Sequence, residues 1–557
     1  MIEVQKKQAD VGGVGAAGAE VAWSARDRSL PLAGRFDLLA SLTLVLALGL
    51  HTLVFPFARD QAEYALIARM AQSGKAIYRD VFNVKPPLTH VLHELSLILF
   101  GSSMLSIRIV DLIWQGLTAS VVFALARRFS GHRAAGPLAA TVYALTYYHS
   151  GGYWHIAQTD GFATLPAAVG VLAAIRTTDA TRSNARALWA ALAGAAFALA
   201  ALFKYPVGVA LLAFTTAHAV IRQRGNARAL LQAGLLALGF AIPLSGFALA
   251  GAWQGSFGPF WEIQTKFIPA YNHFGGHSYA REAITGFARF LLEHKTFSAS
   301  LFGALVGCAL AWQPGVLSRG LLVPLFLLAG VFHLVVQNKF YGYHGLPMLA
   351  PAAVLQAYAA VALWQKLRAH VAFRRAVAAA AVASAALVVA LNAGAAFEPL
   401  RVAFGATTLR AIWDTARFGG YADGGDYSLK ADLQVADYLR LHSKPSDTAF
   451  IWGFEPTVYF VADRQCASRF IYNFPLYGRV ISEGLRAQLM QDLRTGRPLY
   501  IMVVRNDALE HVTGTPLDSR ASLPSFPELA QFIAVNYQLE QTIEDFELYR
   551  RQAQTRP

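Results

Sequence analysis

The sequence is poor in charge and in cysteine. Charged residues make up 15% of the 557 positions, whereas an ordinary soluble protein carries about 25%. The two cysteines, Cys308 and Cys466, stand in one apolar and one polar stretch, so no disulfide framework is predicted. Hydrophobic residues make up 55% of the chain, which excludes an intrinsically disordered protein and a collagen-like fibre.

Motifs of soluble enzymes are missing as well. The sequence has no phosphate-binding Walker loop, no dinucleotide glycine fingerprint, no zinc-spaced Cys/His set and no nucleophile elbow. The net charge of +14 is explained by membrane topology, so no nucleic acid is predicted as a partner. With a mean hydropathy of +0.38, a polytopic α-helical membrane protein is the class that remains.

Apolar stretches long enough for helical crossings recur along the first 395 residues, since a crossing needs about 20 residues. The predicted spans are 37–57, 105–126, 134–149, 161–176, 187–203, 206–221, 229–250, 297–313, 319–336, 345–364 and 374–395.

Basic residues cluster in every second loop of this scheme, as expected for cytoplasmic loops. The clusters are Arg127, Arg128 and Arg133; Arg176, Arg182 and Arg186; Arg222, Arg224 and Arg228; Arg319; and Lys366, Arg368, Arg374 and Arg375. This alternation predicts about eleven spans, a cytoplasmic tail over 1–36, a membrane domain over 37–395, and an extracytoplasmic C-terminus in the bacterial inner membrane.

A further apolar stretch, 87–100, is short and follows two prolines. We interpret it as an interfacial or re-entrant helix of the first outer loop, because a crossing here would break the alternation of basic loops. A twelfth crossing is the alternative.

The C-terminal region follows a Gly-rich linker over 396–427. From 428 to 557 the pattern becomes that of an α/β domain, with a helix at 429–442, strands at 448–452 and 499–504, and a helix at 479–495.

Two aspartates stand next to predicted spans on the outer side. Asp60 follows the first span, and Asp160 precedes the fourth. A carboxylate at the membrane boundary is partly desolvated, which raises its pKa toward that of a general base. The alternative for both residues is a helix N-cap, a position that aspartate favours.

Cationic residues on the same side complement these acids. Lys85 lies in the first outer loop, and Lys204 lies in a turn between two spans, where it either holds a phosphate or extends to the interface. The turn around Lys339 and His344 adds a cation and a titratable histidine, and its two tyrosines, Tyr341 and Tyr343, fit an aromatic belt. Arg59 and Glu63 flank Asp60 as secondary candidates.

In order, the chain carries an acid after span one, Lys85-Pro86-Pro87-Leu88, Ala-Arg-Arg-Phe-Ser-Gly at 126–131, Thr159-Asp160, Phe-Lys-Tyr-Pro at 203–206 and Tyr-His-Gly-Leu-Pro at 343–347. This ordered set resembles the polyprenyl-phosphate-sugar-dependent glycosyltransferases of the GT-C class, families 39 and 83, which include protein O-mannosyltransferases and lipid A aminoarabinose transferases. The resemblance covers roughly residues 37–365.

The resemblance implies that Asp60 and Asp160 are the acids of the two outer loops, and that Lys85 and Lys204 bind the donor phosphate. Many members have Asp-Glu where this chain has Asp60 and Gln61, so the need for a metal stays open, and no other cofactor is expected.

The implied reaction is inverting transfer of a sugar from a polyprenyl-phosphate donor to a hydroxyl of a glycan, lipid or protein. Two alternatives are a transporter or flippase of a lipid-linked or anionic substrate, which should show inverted repeats, and a family member that only binds the lipid-linked sugar.

Overall fold

The computed structural model describes residues 32–272, 279–311, 320–367, 426–478 and 482–552. The predicted span 374–395, most of the tail 1–36 and most of the linker 396–427 lie outside the described residues. So do the basic residues Arg319, Arg368, Arg374 and Arg375.

The first part of the chain is helical. Its helices are α1 Leu32–Gly49, α2 Arg59–Gln72, α3 Pro87–Phe100, α4 Met104–Ser130, α5 Ala135–Tyr148, α6 Thr159–Asp179, α7 Ser183–Phe203, α8 Tyr205–Arg222, α9 Ala227–Trp253, α10 Phe257–Glu262, α11 Ile268–Tyr271, α12 Tyr279–Glu293, α13 Lys295–Ala311, α14 Leu322–Gln337 and α15 Leu346–Leu367. A 3₁₀ turn, Leu50–Val54, extends α1, and another, Gly342–Gly345, precedes α15.

Within the described residues, seven helical segments are long and apolar enough to cross a bilayer. They are Ala33–Val54, Met104–Ser130, Thr159–Asp179, Ser183–Phe203, Tyr205–Arg222, Ala227–Trp253 and Gly342–Leu367. Every predicted span in the described part of the chain coincides with a helix, but α5, α13 and α14 have only 14, 17 and 16 residues. The chain is a multi-pass membrane protein, and the number of eleven spans stays a prediction.

The lipid-facing and packed sides of these helices differ as expected in a bilayer. On α9, Leu231 and Leu249 are 64% and 71% exposed, whereas Gly239 lies against the backbone of α7. Small residues permit such close helix contacts in membranes, where lipid supplies no hydrophobic driving force between helices.

Helix α3 is the predicted interfacial element. Its 14 residues are about 21 Å long, less than the roughly 30 Å of a hydrocarbon core. His90, His93 and Ser96 lie on its buried face, while Leu95 and Ile98 are exposed on the other. The helix is therefore apolar on the outside and polar toward the protein.

The C-terminal part folds around a small mixed sheet. Its elements are α16 Leu429–His442, β1 Thr448–Trp452, α17 Pro456–Ala462, β2 Gln465–Cys466, α18 Glu483–Gly496, β3 Tyr500–Val504, α19 Glu510–Thr513, α20 Ser519–Ser522, α21 Pro527–Asn536, β4 Tyr537–Ile543 and β5 Phe546–Arg551. The strand order is β2-β1-β3-β5-β4. The predicted helix over 429–442 and both predicted strands are confirmed, and the predicted second helix begins at Glu483.

The sheet is parallel on one side and antiparallel on the other. Strand β1 pairs in parallel with β2 and β3, with Ala449 opposite Tyr500, and β5 runs antiparallel between β3 and β4. Helix α18 makes the crossover from β2 to β3 that parallel strands require.

The C-terminal part packs directly on the first outer loop. Phe82 of that loop belongs to the same buried apolar cluster as Phe470 and Tyr472, and its N–H donates to the carbonyl oxygen of Arg469 at 2.9 Å. The loop that carries Asp60 and Lys85 is thus enclosed between the membrane helices and the sheet.

Candidate active site

The start of α2 places Asp60 without using it as a cap. The helix begins at Arg59 with Ala58 at the N-cap, and the Gln61 side chain accepts from the Ala58 N–H at 2.7 Å. Gln61 stands where the sequence resemblance implies an acid, and here it supplies the capping bond. The N-cap alternative for Asp60 is therefore wrong, and its carboxylate is available for other contacts.

Lys85 and Gln158 are the neighbours of that carboxylate. The Lys85 Nζ lies 4.0 Å from Asp60 Oδ1, and Gln158 Nε2 donates to Asp60 Oδ2 at 3.3 Å. Burial opposes the charged form of Lys85, but Asp60, Tyr64, Glu63 and Tyr271 together outweigh that effect and raise the Lys85 pKa well above its usual value. Lys85 therefore stays cationic at the cavity.

Glu63 lies one turn after Asp60 and is buried. Burial raises its pKa to about 8, although Lys85 and a hydrogen bond from Asn83 act in the opposite direction. The Asn83 Nδ2 group donates to Glu63 Oε1, and the Asn83 Oδ1 atom lies 3.1 Å from His90 Nε2. Glu63 is thus a neutral carboxylic acid at pH 7.

The second acid forms a buried cluster of its own. Asp160 is the second residue of α6, whose N-cap is Gln158, so the N-cap alternative is wrong here too. Its Oδ2 lies 3.1 Å from Lys204 Nζ, and its Oδ1 lies 2.6 Å from His333 Nε2. Lys204 has an extended backbone between α7 and α8, and its side chain is only 10% exposed, so it does not extend to the interface.

His333 is the residue that sequence analysis missed. It lies in the apolar helix α14 and is fully buried against Asp160. The available signal was a lone ionisable residue within a span, which points to function more often than a surface histidine does.

The two acidic clusters are adjacent. Gln158 contacts Asp60 and precedes Asp160 by two residues, and Lys204 also interacts electrostatically with Lys85 and Asp60. The structure thus brings together all four primary candidates, two aspartates and two lysines.

A cavity of about 840 Å³ opens beside Asp60, between the outer loops and the C-terminal part. Its lining includes Arg59, Asp60, Glu63, Lys85, Trp154, His155, Tyr271, Glu282, Arg289, Lys339, Tyr341, Tyr343, Asp426, Phe454, Phe474 and His511. Tyr341 and Tyr343 thus line the cavity. An aromatic belt at the membrane interface does not account for this position. Asp160, Lys204 and His344 are not among its lining residues.

The remaining candidates occupy different places. Lys339 Nζ donates to the His511 carbonyl oxygen at 2.8 Å, and burial lowers the Lys339 pKa to about 7. The His344 ring lies 6.0 Å from that of His333, behind the cavity. The Arg59 guanidinium points away from Asp60 and pairs with the C-terminal part, 2.8 Å from Asp426 Oδ2 and 2.7 Å from Glu455 Oε1.

Among the residues that the structure describes, no group of three or more His, Cys, Asp and Glu side chains is arranged to hold a metal ion. The two lysines and the aromatic rings instead provide contacts suited to an anionic group and a sugar.

Comparisons with known proteins agree with this architecture. Residues 84–253 match the family described as dolichyl-phosphate-mannose-protein mannosyltransferase, a range that includes Lys85, Asp160 and Lys204. No curated protein matches the chain significantly.

Two solved structures of ArnT from Cupriavidus metallidurans share the fold. The structure bound to undecaprenyl phosphate has a TM-score of 0.58, and the apo structure has a TM-score of 0.60. Both are 16% identical in sequence to this chain, and the alignments cover 93% of this chain and 98% of theirs. The chain thus has the ArnT-like GT-C fold that the sequence resemblance predicted, and in residues 84–253 it resembles the dolichyl-phosphate-mannose-protein mannosyltransferases.

Proposed function

We propose that this protein is a glycosyltransferase that transfers a sugar from a polyprenyl-phosphate donor to a hydroxyl acceptor at the outer face of the inner membrane. The observation that carries the proposal is the pair of adjacent Lys–Asp contacts, Lys85–Asp60 at the cavity and Lys204–Asp160 buried next to it. The undecaprenyl phosphate in the similar ArnT structure supports a donor of this class.

In this reaction the acceptor oxygen attacks the anomeric carbon while the bond from that carbon to the phosphate oxygen breaks, which inverts the configuration. Asp60 takes the hydroxyl proton, because of the two candidate aspartates it is the one that lines the cavity. General-base assistance of this kind contributes about 10²–10⁴-fold. The electron pair of the broken bond stays with the phosphate, which leaves as an anion and needs no general acid.

The two lysines neutralise that leaving phosphate. Lys85 lies at the cavity beside Asp60, and Lys204 is held in a nearly water-free position by Asp160, which also contacts His333. Fixed positive charge acts more strongly in such an environment than in water. Asp160 orients Lys204, while Asp60 performs the proton transfer.

The topology follows from the same proposal. Residues 37–395 form the catalytic membrane domain, with the 1–36 tail in the cytoplasm, and residues 428–557 form a periplasmic domain that covers the site. The alternation of basic loops supports this orientation, and the contact between Phe82 and the 469–472 segment requires the first loop and the C-terminal part to share one side of the membrane.

The test compares Asp60→Asn with Asp80→Asn, a matched change in the same loop at a residue paired with Arg79 outside the cavity. Mass spectrometry of envelope glycoconjugates from cells that carry each variant is expected to show a sugar-sized addition with wild type and D80N. D60N is expected to lose it, with the rate reduced at least about 10²-fold. Full modification by D60N at wild-type expression would remove Asp60 from the reaction.

A further inference from the structure

A buried polar cluster beneath the site contacts both loops that carry the acids. It consists of Arg108 and Asp111 on α4 and Tyr147 on α5, all essentially inaccessible to solvent. We propose that this cluster, the loop anchor, contains the positioning residues that fix Asp60 relative to Asp160. The inference rests on the proposed function for its effect on catalysis.

Arg108 connects the two loops through its guanidinium. Its Nε donates to the Phe55 carbonyl oxygen at 3.3 Å, Nη2 donates to that of Pro56, and Nη1 donates to that of Ile156 at 3.4 Å. The first two carbonyls precede Asp60 by four or five residues, and the third precedes Asp160 by four. A planar guanidinium with five N–H donors can hold three carbonyls at once, which an ammonium on a flexible stem cannot do in the same geometry.

Tyr147 and Asp111 hold the second loop from below. The Tyr147 hydroxyl donates to Asp111 Oδ1 at 2.8 Å and accepts from the Ala157 N–H at 3.2 Å. Ala157 has a φ of +54°, a left-handed conformation that is unfavourable for a residue with a Cβ. The bond from Tyr147 stabilises this turn three residues before Asp160.

The Ile156 carbonyl is the point where the two loops meet. It accepts from Arg108 at 3.4 Å and also from Gln61 Nε2 at 2.8 Å, and Gln61 is the residue after Asp60. Gln61 additionally donates to the Tyr153 carbonyl oxygen at 3.1 Å. The backbone that precedes each aspartate is thus tied to one set of polar groups.

Such positioning has a large effect on rate. A misplacement of about 1 Å at reacting groups can cost about 10²-fold in activity, and polar groups buried at membrane depth are expensive unless they are satisfied. Arg108 and Tyr147 of the loop anchor bond the backbone of the two loops, so a shift of either loop leaves buried donors or acceptors unpaired.

The test compares Tyr147→Phe with Tyr143→Phe. Tyr143 lies one turn earlier on α5, is equally buried, and donates its hydroxyl to Gln115 Oε1 at 2.6 Å. Each change removes one buried hydroxyl, but only Y147F removes the hydrogen bond to Ala157. We measure kcat and donor KM with polyprenyl-phosphate-linked sugars, and amide hydrogen exchange over residues 153–158 in detergent.

We expect Y147F to reduce kcat about 10- to 100-fold, to leave donor KM within about twofold, and to speed exchange over 153–158, while Y143F changes none of these. Equal amide exchange over 153–158 in Y147F and Y143F would overturn the loop anchor, whether or not the wild-type protein transfers sugar. A wild-type protein that transfers no sugar would refute the proposed function, and the exchange result would still test the loop anchor. A Y147F enzyme with unchanged kcat, or with only donor KM altered, overturns it as well.

A second pair tests the guanidinium. Arg108→Lys keeps the positive charge but cannot make the contact with three carbonyls. Arg464→Lys is the matched control. Arg464 is also buried and donates to three backbone carbonyls, but it lies in the C-terminal part, and its acceptors are Ser443, Ala462 and Asp463. We expect R108K to show the same kcat loss and faster exchange as Y147F at normal expression. The same kcat loss in R464K would attribute the effect to general destabilisation and overturn the proposal.

Discussion

At the scale of single residues, the two Lys–Asp pairs differ in how accessible they are. The Asp60 and Lys85 side chains are each 18% exposed, with 4.0 Å between their charged atoms, whereas Asp160 is fully buried and lies 3.1 Å from Lys204. An acid that exchanges a proton with a substrate must reach it, and an acid that orients a cation need not. The proposed division of roles between Asp60 and Asp160 follows from this difference.

Glu63 provides a pH-dependent prediction. Its pKa is raised from 4.5 in the unfolded chain to about 8, so between these values the folded protein binds more protons than the unfolded one. Stability should therefore fall as pH rises from about 5 to 8, with a slope of at most about 1.4 kcal/mol per pH unit from this group. Glu63→Gln should reduce that slope in thermal unfolding of the purified protein.

The control for this prediction is Glu262→Gln, at an exposed residue paired with Lys266. It should leave the pH dependence of the unfolding temperature unchanged. If E63Q and wild type lose stability in parallel over this pH range, Glu63 is already ionised in the folded protein.

Sequence analysis predicted the residue types of the site but not all their contacts. Asp60, Lys85, Asp160 and Lys204 were predictable because they lie outside the basic clusters, next to spans on the predicted outer side, and match the motifs of the family that the chain resembles. His333 was missed because its partner Asp160 is 173 positions away, and its place within an apolar span indicates a function without indicating which residue it contacts. The capping bond of Gln61 depends on where α2 begins, which sequence pattern fixes only within a few residues.

At the scale of elements, close packing of α7 against α9 depends on glycines. A Cβ on Gly194 would lie 2.0 Å from the Leu236 carbonyl oxygen, and one on Gly239 would lie 2.0 Å from that of Ala191. Since backbone atoms cannot move as a side chain can, these two helices must separate to admit even one methyl group.

We therefore expect Gly194→Ala to destabilise the protein by about 1–3 kcal/mol through overpacking. Gly234→Ala on α9 is the matched control, because nothing lies within 4 Å of its Cβ position and alanine is favoured over glycine in a helix by up to about 1 kcal/mol. Thermal unfolding in detergent should rank G194A below wild type and G234A at or above it. A G194A protein as stable as wild type would show that α7 and α9 are less closely packed.

Element positions were largely predictable, because apolar length and basic loops suffice to locate helices. Apolar length does not decide whether shorter helices such as α5 and α14 cross the membrane. The amphipathic helix α12 was not predicted, because it lies within the long loop 251–296, which was interpreted only as a connection between two spans.

At the scale of the whole molecule, Arg59 joins the membrane part to the C-terminal part. Its side chain is 5% exposed, between Asp426 and Glu455, and its charge lies 5.0 Å from the centre of the Tyr427 ring. Sequence analysis placed Arg59 among secondary site residues, because neither partner, about 370 and 400 positions later in the chain, is evident from local pattern.

Arg59→Met should weaken this connection more than Arg69→Met, which breaks a more exposed contact between α2 and Asp463. Loss of Arg59 leaves the buried Glu455 without its cation, a change that typically costs about 3–5 kcal/mol. Burial raises the Glu455 pKa to about 7 despite Arg59, so the difference should grow at alkaline pH. Unfolding temperatures at pH 6 and pH 9 provide the measurement, and equal values for R59M and R69M would contradict it.

The long separation between Arg59 and its partners has a consequence for biosynthesis. When the ribosome has made only the first 425 residues, both aspartates and both lysines of the site already exist, but the wall formed by Phe454, Phe474 and His511 does not. In a nascent or truncated chain, the cavity beside Asp60 and Lys85 therefore lacks this wall and is open to water. The enclosure forms only after roughly the last quarter of the 557 residues has been made and folded, so the proposed transfer reaction would begin only then.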